Sequence, residues 1–177
     1  KYKSVETKEE ATKAFEKGYE HYLKTASSSK AAAGLTPKTP VGKPIWESLC
    51  VDAACSGNPG NMEYRGVYPP TMQEIFRIGP LKKGTNNIGE FLALVHGLAL
   101  LKQKGSSLPI YSDSRNAIGW VKKKKCKTLL ERVPENEPIF DMIERAEKWL
   151  KTNTYTTPIL KWETSEWGEI PADFGRK

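Results

Sequence analysis

The stretch NNIGEFLALVHGLALLKQ, residues 86–103, reads as a long helix that is apolar nearly all round. Such a helix is buried against a sheet, not laid on a surface. The sheet has to come from the flanking sequence. Upstream, three strand-like runs at about 46–54, 62–69 and 72–79 are separated by short turns, which predicts an antiparallel meander. Downstream, LPIYSD (108–113) predicts a short strand, and a helix follows over about 114–124. A basic irregular piece leads to a second long helix at about 136–152, with Ile139, Ile143, Ala146 and Leu150 on its inner face. TPILKWET (157–164) predicts a last strand, and the tail holds a turn and a helical turn. Strands first, then helices alternating with strands, predict an α/β domain: a mixed sheet covered by helices. There are no internal repeats.

This domain is expected to occupy residues 45–177. Residues 25–44, TASSSKAAAGLTPKTPVGKP, show no apolar period and predict a flexible linker. In residues 1–24, Thr7 and Glu10 form a capping-box pattern, so a helix is expected to start near Lys8, with Ala11, Phe15 and Tyr19 on one face. That is too little chain to bury a core, and it reads as the end of a small module.

Composition narrows the class. A hydrophobic fraction of 38% and a charged fraction of 28% are those of a globular domain, and no apolar run is long enough to span a bilayer. The net charge of +7 and pI of about 9.2 favour a polyanionic partner, although a basic solvated surface would give the same numbers. Cys50, Cys55 and Cys126 lack metal-ligand spacing and predict free thiols in a reducing cytoplasm. His21 and His96 are too few and too far apart to suggest a histidine metal site.

Four acids occupy places that ask for a reason. Asp52 stands inside the first strand, in ESLCVDAACSGNPG (47–60). Glu90 is in the first turn of the buried helix, Asp113 ends PIYSD, and Asp173 lies in EIPADFG. Glu169 is a fifth candidate. Glu90 could partner a cap led by Asn87, Asp113 could cap the next helix, and Asp173 could be a solvated tail residue. Asp52 resists such readings, because an ionised carboxylate in a central strand costs several kcal/mol unless it is paired or binds a metal. If the ends bearing Glu90 and Asp113 lie beside Asp52, three oxygen ligands converge. Oxygen-only clusters select hard cations, above all Mg²⁺. Two such ions about 3.5–4 Å apart are the usual apparatus for cutting phosphodiesters.

VDAACSGNPG, then GTNNIGEFLALVHGL, IYSDSRNAIGWV and PADFGRK, resemble the bacterial type 1 ribonucleases H from about Trp46 to Lys177. KWETSEWGEIPAD resembles the branch of that family with a KWxTxxWGEIxAD pattern, and residues 1–17 are similar to the tail of its N-terminal hybrid-binding module, whose front is missing from this chain. The resemblance implies a ribonuclease H-like fold with a five-stranded mixed sheet: an antiparallel meander of three strands, then two parallel strands, covered by helices. It implies an endoribonuclease that hydrolyses the RNA strand of RNA–DNA hybrids with two Mg²⁺ ions, Mn²⁺ being able to substitute, and leaves 5′-phosphate and 3′-hydroxyl ends. Asp52 would bridge both ions, Asp173 would complete the site that activates water, Glu90 and Asp113 would hold the second ion, and Glu169 would help product leave. Many members carry a loop His before the last Asp; this chain has none there, and Glu169 is expected to take over part of that role. His96 is expected to be a packed helix residue.

For the substrate, the resemblance places Cys55, Gly57, Asn58, Asn86 and Asn87 along the RNA, where 2′-hydroxyls are displayed in a shallow groove. Arg115 stands where relatives often have Gln. Thr85, Asn87 and Thr128 would grip a DNA phosphate, Trp120 would pack on a deoxyribose, and Lys177 would approach the scissile region. The run KKKKCK (122–127) predicts a phosphate-contacting ridge. The expected partner is the hybrid duplex, with no membrane and no obligate protein partner; a monomer is expected. Three alternatives stand beside this reading: a DNA-cutting nuclease of the same fold, of transposase or resolvase type, a non-catalytic hybrid-binding protein, and a basic α/β domain with no metal.

Overall fold

The computed structural model describes residues 42–175. The helix expected near Lys8, most of the 25–44 linker and Lys177 lie outside them.

Three strands come first: β1 (Leu49–Cys55), β2 (Gly60–Tyr68) and β3 (Gln73–Gly84). Helix α1 (Asn86–Gln103) leads to β4 (Ile110–Ser112), α2 (Arg115–Lys123), a 3₁₀ turn (Pro134–Asn136), α3 (Glu137–Thr152), β5 (Ile159–Lys161) and the single turn α4 (Thr164–Trp167). The five strands form one sheet in the order β3-β2-β1-β4-β5. β1–β2 and β2–β3 are antiparallel, and β1–β4 and β4–β5 are parallel. This is the expected meander followed by two parallel strands.

Alternation along β1 assigns its two faces. Leu49, Val51 and Ala53 join the main core with Ile88, Phe91, Leu94 and Leu98 of α1. Full burial of each large apolar side chain contributes about 1.5–3 kcal/mol, so α1 is a central fastening of the fold. Two glycines let it come close. A Cβ at Gly89 would lie 2.8 Å from Ala53 Cβ, and one at Gly97 would lie 2.4 Å from Ile110 Cδ1. The other face of β1 carries Cys50 and Asp52. There Cys50 and Val67 pack in a second cluster with Tyr111, Trp162, Ile170 and Ala172, so the C-terminal segment covers that side.

Most strand boundaries shift from the sequence expectation: β1 starts at Leu49 instead of near 46, and β4 is Ile110–Ser112 instead of 108–113. β3 continues to Gly84 instead of stopping at Gly79. Gly79-Pro80 reads as a break, but β3 is the edge of the sheet, where a residue without an N–H is tolerated. β5 is three residues long, not eight. Single hydrogen bonds extend it at each end: Ile110 N–H donates to Pro158 O (2.9 Å) and Trp162 N–H to Ser112 O (2.8 Å).

Candidate active site

Asp52 lies in β1, opposite Arg65 of β2 and 3% exposed. The β1–β4 ladder pairs Leu49 with Ile110 and Cys50 with Tyr111, so Asp52 lies just beyond it, level with the chain that leaves β4. Asp113 begins that chain. Glu90 is the fifth residue of α1 and 2% exposed, and its neighbour Gly89 is the one packed on Ala53. Although Ala53 and Asp52 face opposite sides of β1, carboxylate oxygens of Glu90 and Asp52 lie within 4.8 Å of each other.

The ordinary explanations for Glu90 and Asp113 do not apply. The cap of α1 is Thr85, whose Oγ1 accepts the Ile88 N–H (3.3 Å); Asn87 does not lead one. The cap of α2 is Ser114, whose Oγ accepts the Ala117 N–H (3.0 Å). Both acids are therefore left over from helix termination. One carboxylate oxygen from each of Asp52, Glu90 and Asp113 lies within 4.8 Å of the other two. Glu90 Oε1 is buried without a hydrogen-bond partner among the described residues. Burial, then the charge and hydrogen bonding of Asp52 and of Asp113, hold the Glu90 carboxyl well above the usual carboxylate range. Gathering three carboxylates here is unfavourable unless a proton or a cation neutralises them. An all-oxygen donor set with an unsatisfied buried oxygen fits a hard divalent cation.

Asp173 is not in that cluster. It sits on the C-terminal segment, where its Oδ2 accepts the Gly175 N–H (2.9 Å). Its backbone carbonyl accepts from Arg65 Nη2 (2.6 Å), and the Ala172 carbonyl accepts from Arg65 Nε (2.8 Å). Since Arg65 faces Asp52 across the β1–β2 pair, Asp173 is held beside the strand that bears Asp52. Glu169 is exposed on the same segment.

A second feature opens at the N-terminus of α1. A cleft of about 400 Å³ has Thr85, Asn87, Trp120 and Thr128 in its wall, with Asn58 at the edge given by the SGNPG loop. Lys127, Leu129 and Leu130 complete the far side, with Leu129 fully exposed. Trp120 is half-buried and packs edge-on against Phe91 at 6.3 Å between ring centroids, so it serves the core and the cleft together. Cys55, half-buried, donates its S–H to Gly57 O (2.8 Å). Gly57, Asn86 and Arg115 are exposed. In this loop a Cβ at Gly60 would lie 2.6 Å from Gly57 N, so the turn closes this tightly only with glycine. His96 Nδ1 hydrogen-bonds the Tyr64 hydroxyl (3.0 Å) and its ring stacks on Phe76 at 4.0 Å, which makes it a packed helix residue.

Sequence reasoning did not find Arg65. Alternation in NMEYRGVY places Glu63 and Arg65 on one face, but only the strand register shows that it is the face of Asp52.

The family model described as RNase H matches residues 47–161. A ribonuclease H of Rhodopirellula baltica is 41% identical over 75 residues, 41% of this chain and 46% of that protein. One from Rickettsia bellii is 31% identical over 137 residues, 71% of this chain and 83% of that protein. The chain spans 46% and 62% of the lengths of two of the relatives that it matches. Among solved structures, the RNase H1 of the halophilic archaeon Halobacterium salinarum NRC-1 is 19% identical, with a TM-score of 0.42, and the match covers 67% of this chain and 86% of that one. The family model covers the strand bearing Asp52, the helix bearing Glu90 and the loop bearing Asp113, and by that match, the Rickettsia bellii alignment and its own five-stranded mixed sheet this chain belongs to the RNase H family.

Proposed function

We propose that the protein is an endoribonuclease that hydrolyses the RNA strand of RNA–DNA hybrids. The observation that carries this reading is the convergence of the Asp52, Glu90 and Asp113 oxygens within 4.8 Å, with no histidine or cysteine among them. Family membership and the cleft wall built by Thr85, Asn87, Trp120 and Thr128 support it.

In this reading Asp52, Glu90, Asp113 and Asp173 hold two Mg²⁺ ions, with Mn²⁺ able to stand in. Such ions, when bound, supply a Lewis acid and lower the pKa of a coordinated water. The rest is positioning by the chain. Thr85, Asn87 and Thr128 take a phosphate of the DNA strand, and the Trp120 ring packs on its sugar, where a 2′-hydroxyl would clash. Asn58, Asn86, Cys55 and Gly57 read the 2′-hydroxyls of the RNA strand through donors, acceptors and close backbone approach. The scissile bond then lies over the carboxylates, with Glu169, Arg115 and Lys177 at its margin, and water attacks phosphorus in line, leaving 5′-phosphate and 3′-hydroxyl ends. We assign the chain to the WGEI branch, with residues 1–24 as the end of a hybrid-binding module, 25–44 as a linker and 45–177 as a catalytic domain. We further propose that it acts as a monomer in the cytoplasm; among the described residues no helix is long and apolar enough to cross a membrane.

The test is to incubate labelled hybrid, duplex RNA and duplex DNA with the protein, with and without Mg²⁺. Only the hybrid should be cut, only with the ion, and Asp52→Asn should lower the rate by at least ~100-fold while hybrid binding persists. Cutting of plain DNA would favour a DNA nuclease of this fold instead. Cleavage by Asp52→Asn at the normal rate would end the metal-site reading.

A further inference from the structure

The triad, with Asp52 and Glu90 buried and Asp113 half-buried, is built by the sheet and α1, but Asp173 belongs to a segment with little regular structure, beyond the last helical turn. Something must hold that segment to the sheet. Ile170 and Ala172 are buried and anchor it by apolar contact, which fixes it roughly but does not fix the direction of the next carbonyl or carboxylate.

Arg65 supplies the directional part. Its guanidinium donates to two consecutive backbone carbonyls, Ala172 O (2.8 Å) and Asp173 O (2.6 Å). A planar fork gripping adjacent carbonyls restricts both position and rotation, which a single hydrogen bond does not. Directly opposite Arg65 on the next strand stands Arg77. Two like charges in that relation repel, yet here both are compensated. Buried Glu63 takes Arg77 Nη2 at 2.8 Å, Glu74 bridges the two arginines at 3.4 and 3.8 Å, and the Phe174 ring lies against both guanidiniums at 5.0 and 5.2 Å. The residues on both sides of the Asp173 carboxylate, Ala172 and Phe174, are therefore held by one arginine pair on β2 and β3.

We propose that Arg65, backed by Arg77, Glu63 and Phe174, is a positioning residue that holds Asp173 against the Asp52 strand and so completes the cation site from the C-terminal side. This deepens the hydrolase reading and rests on it for its catalytic consequence. The mechanical consequence does not depend on activity.

The experiment has two arms. Hydrogen exchange of residues 170–175 is followed in the full chain, wild type against Arg65→Lys, Arg65→Gln and Phe174→Leu. Gln keeps much of the stem but loses the fork; Phe174→Leu leaves the strand untouched. Exchange should accelerate in Arg65→Gln and less in Phe174→Leu and Arg65→Lys, while amides of α1 stay protected. Unchanged exchange in 170–175 for Arg65→Gln overturns the proposal, and so does equal acceleration throughout the domain. In the second arm, Arg65→Gln should lower kcat by about 10–100-fold, the usual effect of removing an outer-sphere partner. KM for the hybrid should be unchanged, the Mg²⁺ concentration needed should rise, and Arg65→Lys should restore part of the rate. Combined with Asp173→Asn, Arg65→Gln should add little; a fully additive loss overturns the proposal, because it places Arg65 on a separate path. A wild-type protein that cuts no hybrid overturns the hydrolase reading alone and leaves the exchange arm to decide the clamp.

Discussion

Glu90 concentrates the electrostatics of the site in one side chain. Its carboxyl is raised first by burial and then by Asp52 and Asp113. A carboxyl raised above its ordinary value of 4.5 binds more protons folded than unfolded, so the ion-free protein loses stability as pH rises from 4.5 through the folded value. His96 acts in the opposite direction. Burial lowers its pKa, so its contribution is lost as pH falls below 6.5. A comparison with Glu90→Gln cancels the histidine. In chelator, thermal unfolding should show the variant gaining on the wild type as pH goes from 5 to 8. Mg²⁺ should stabilise the wild type more at pH 8 than at pH 5 and the variant little at either. A variant that tracks the wild type at every pH would mean that Glu90 does not carry the charge penalty. Asp52 was legible as a residue because it interrupts an apolar strand. Glu90 and Asp113 were legible as candidates, but the sequence could not say that Thr85 and Ser114 take the caps, because capping is decided by which side chain reaches the free N–H groups. Arg65 was not legible at all, since its meaning lies in a partner 107 residues away.

At the scale of elements, α1 was the clearest reading, since 18 residues with almost no polar face leave one solution. The antiparallel meander was equally plain from the short turns between runs, and the order of runs pointed to a mixed sheet; that the last two strands are parallel came from the family resemblance. The least legible piece was the connection between α2 and α3, residues 124–136, which has no apolar period yet forms one wall of the cleft. Its shape comes from particular side chains. Lys124 ends α2 in the left-handed region at φ 60°, Glu147 of α3 accepts the Cys126 N–H (2.8 Å), and Arg132 pairs with Glu137. Asn136 is buried and makes three bonds. Its Oδ1 accepts the Val133 N–H (2.8 Å), and its Nδ2 donates to Glu131 O (2.9 Å) and to Lys83 O at the end of β3 (3.2 Å). It thus ties the Thr128 side of the cleft to the Thr85 side. Asn136→Ala leaves buried groups unsatisfied and should cost about 1–3 kcal/mol in urea unfolding. It should also weaken hybrid affinity, read by fluorescence anisotropy, with the rate at saturating hybrid nearly unchanged. A rate loss at saturation without an affinity loss would show that the connection shapes the carboxylate site and not the cleft.

For the whole molecule, the two features lie on one axis: Thr85 and Asn87 of the cleft and Glu90 of the triad are successive parts of the start of α1. The net charge of +7 attracts any polyanion, so charge alone does not separate a hybrid groove from a basic surface. What separates them is where the charge sits. Lys127 lines the cleft beside Thr128, whereas Lys148 is exposed on α3. If the cleft takes a phosphate, each contacting lysine releases counterion when the duplex binds. The logarithm of the affinity then falls linearly with the logarithm of salt concentration. Lys127→Ala should therefore make that slope shallower by about 0.7–0.9, while Lys148→Ala leaves it unchanged, although both variants lose the same net charge. Equal slopes for the two variants would mean that the duplex is held by diffuse charge, and the cleft would lose its place in substrate recognition. A shallower slope for Lys127→Ala alone would place a phosphate of the duplex at Lys127, in the cleft at the start of α1.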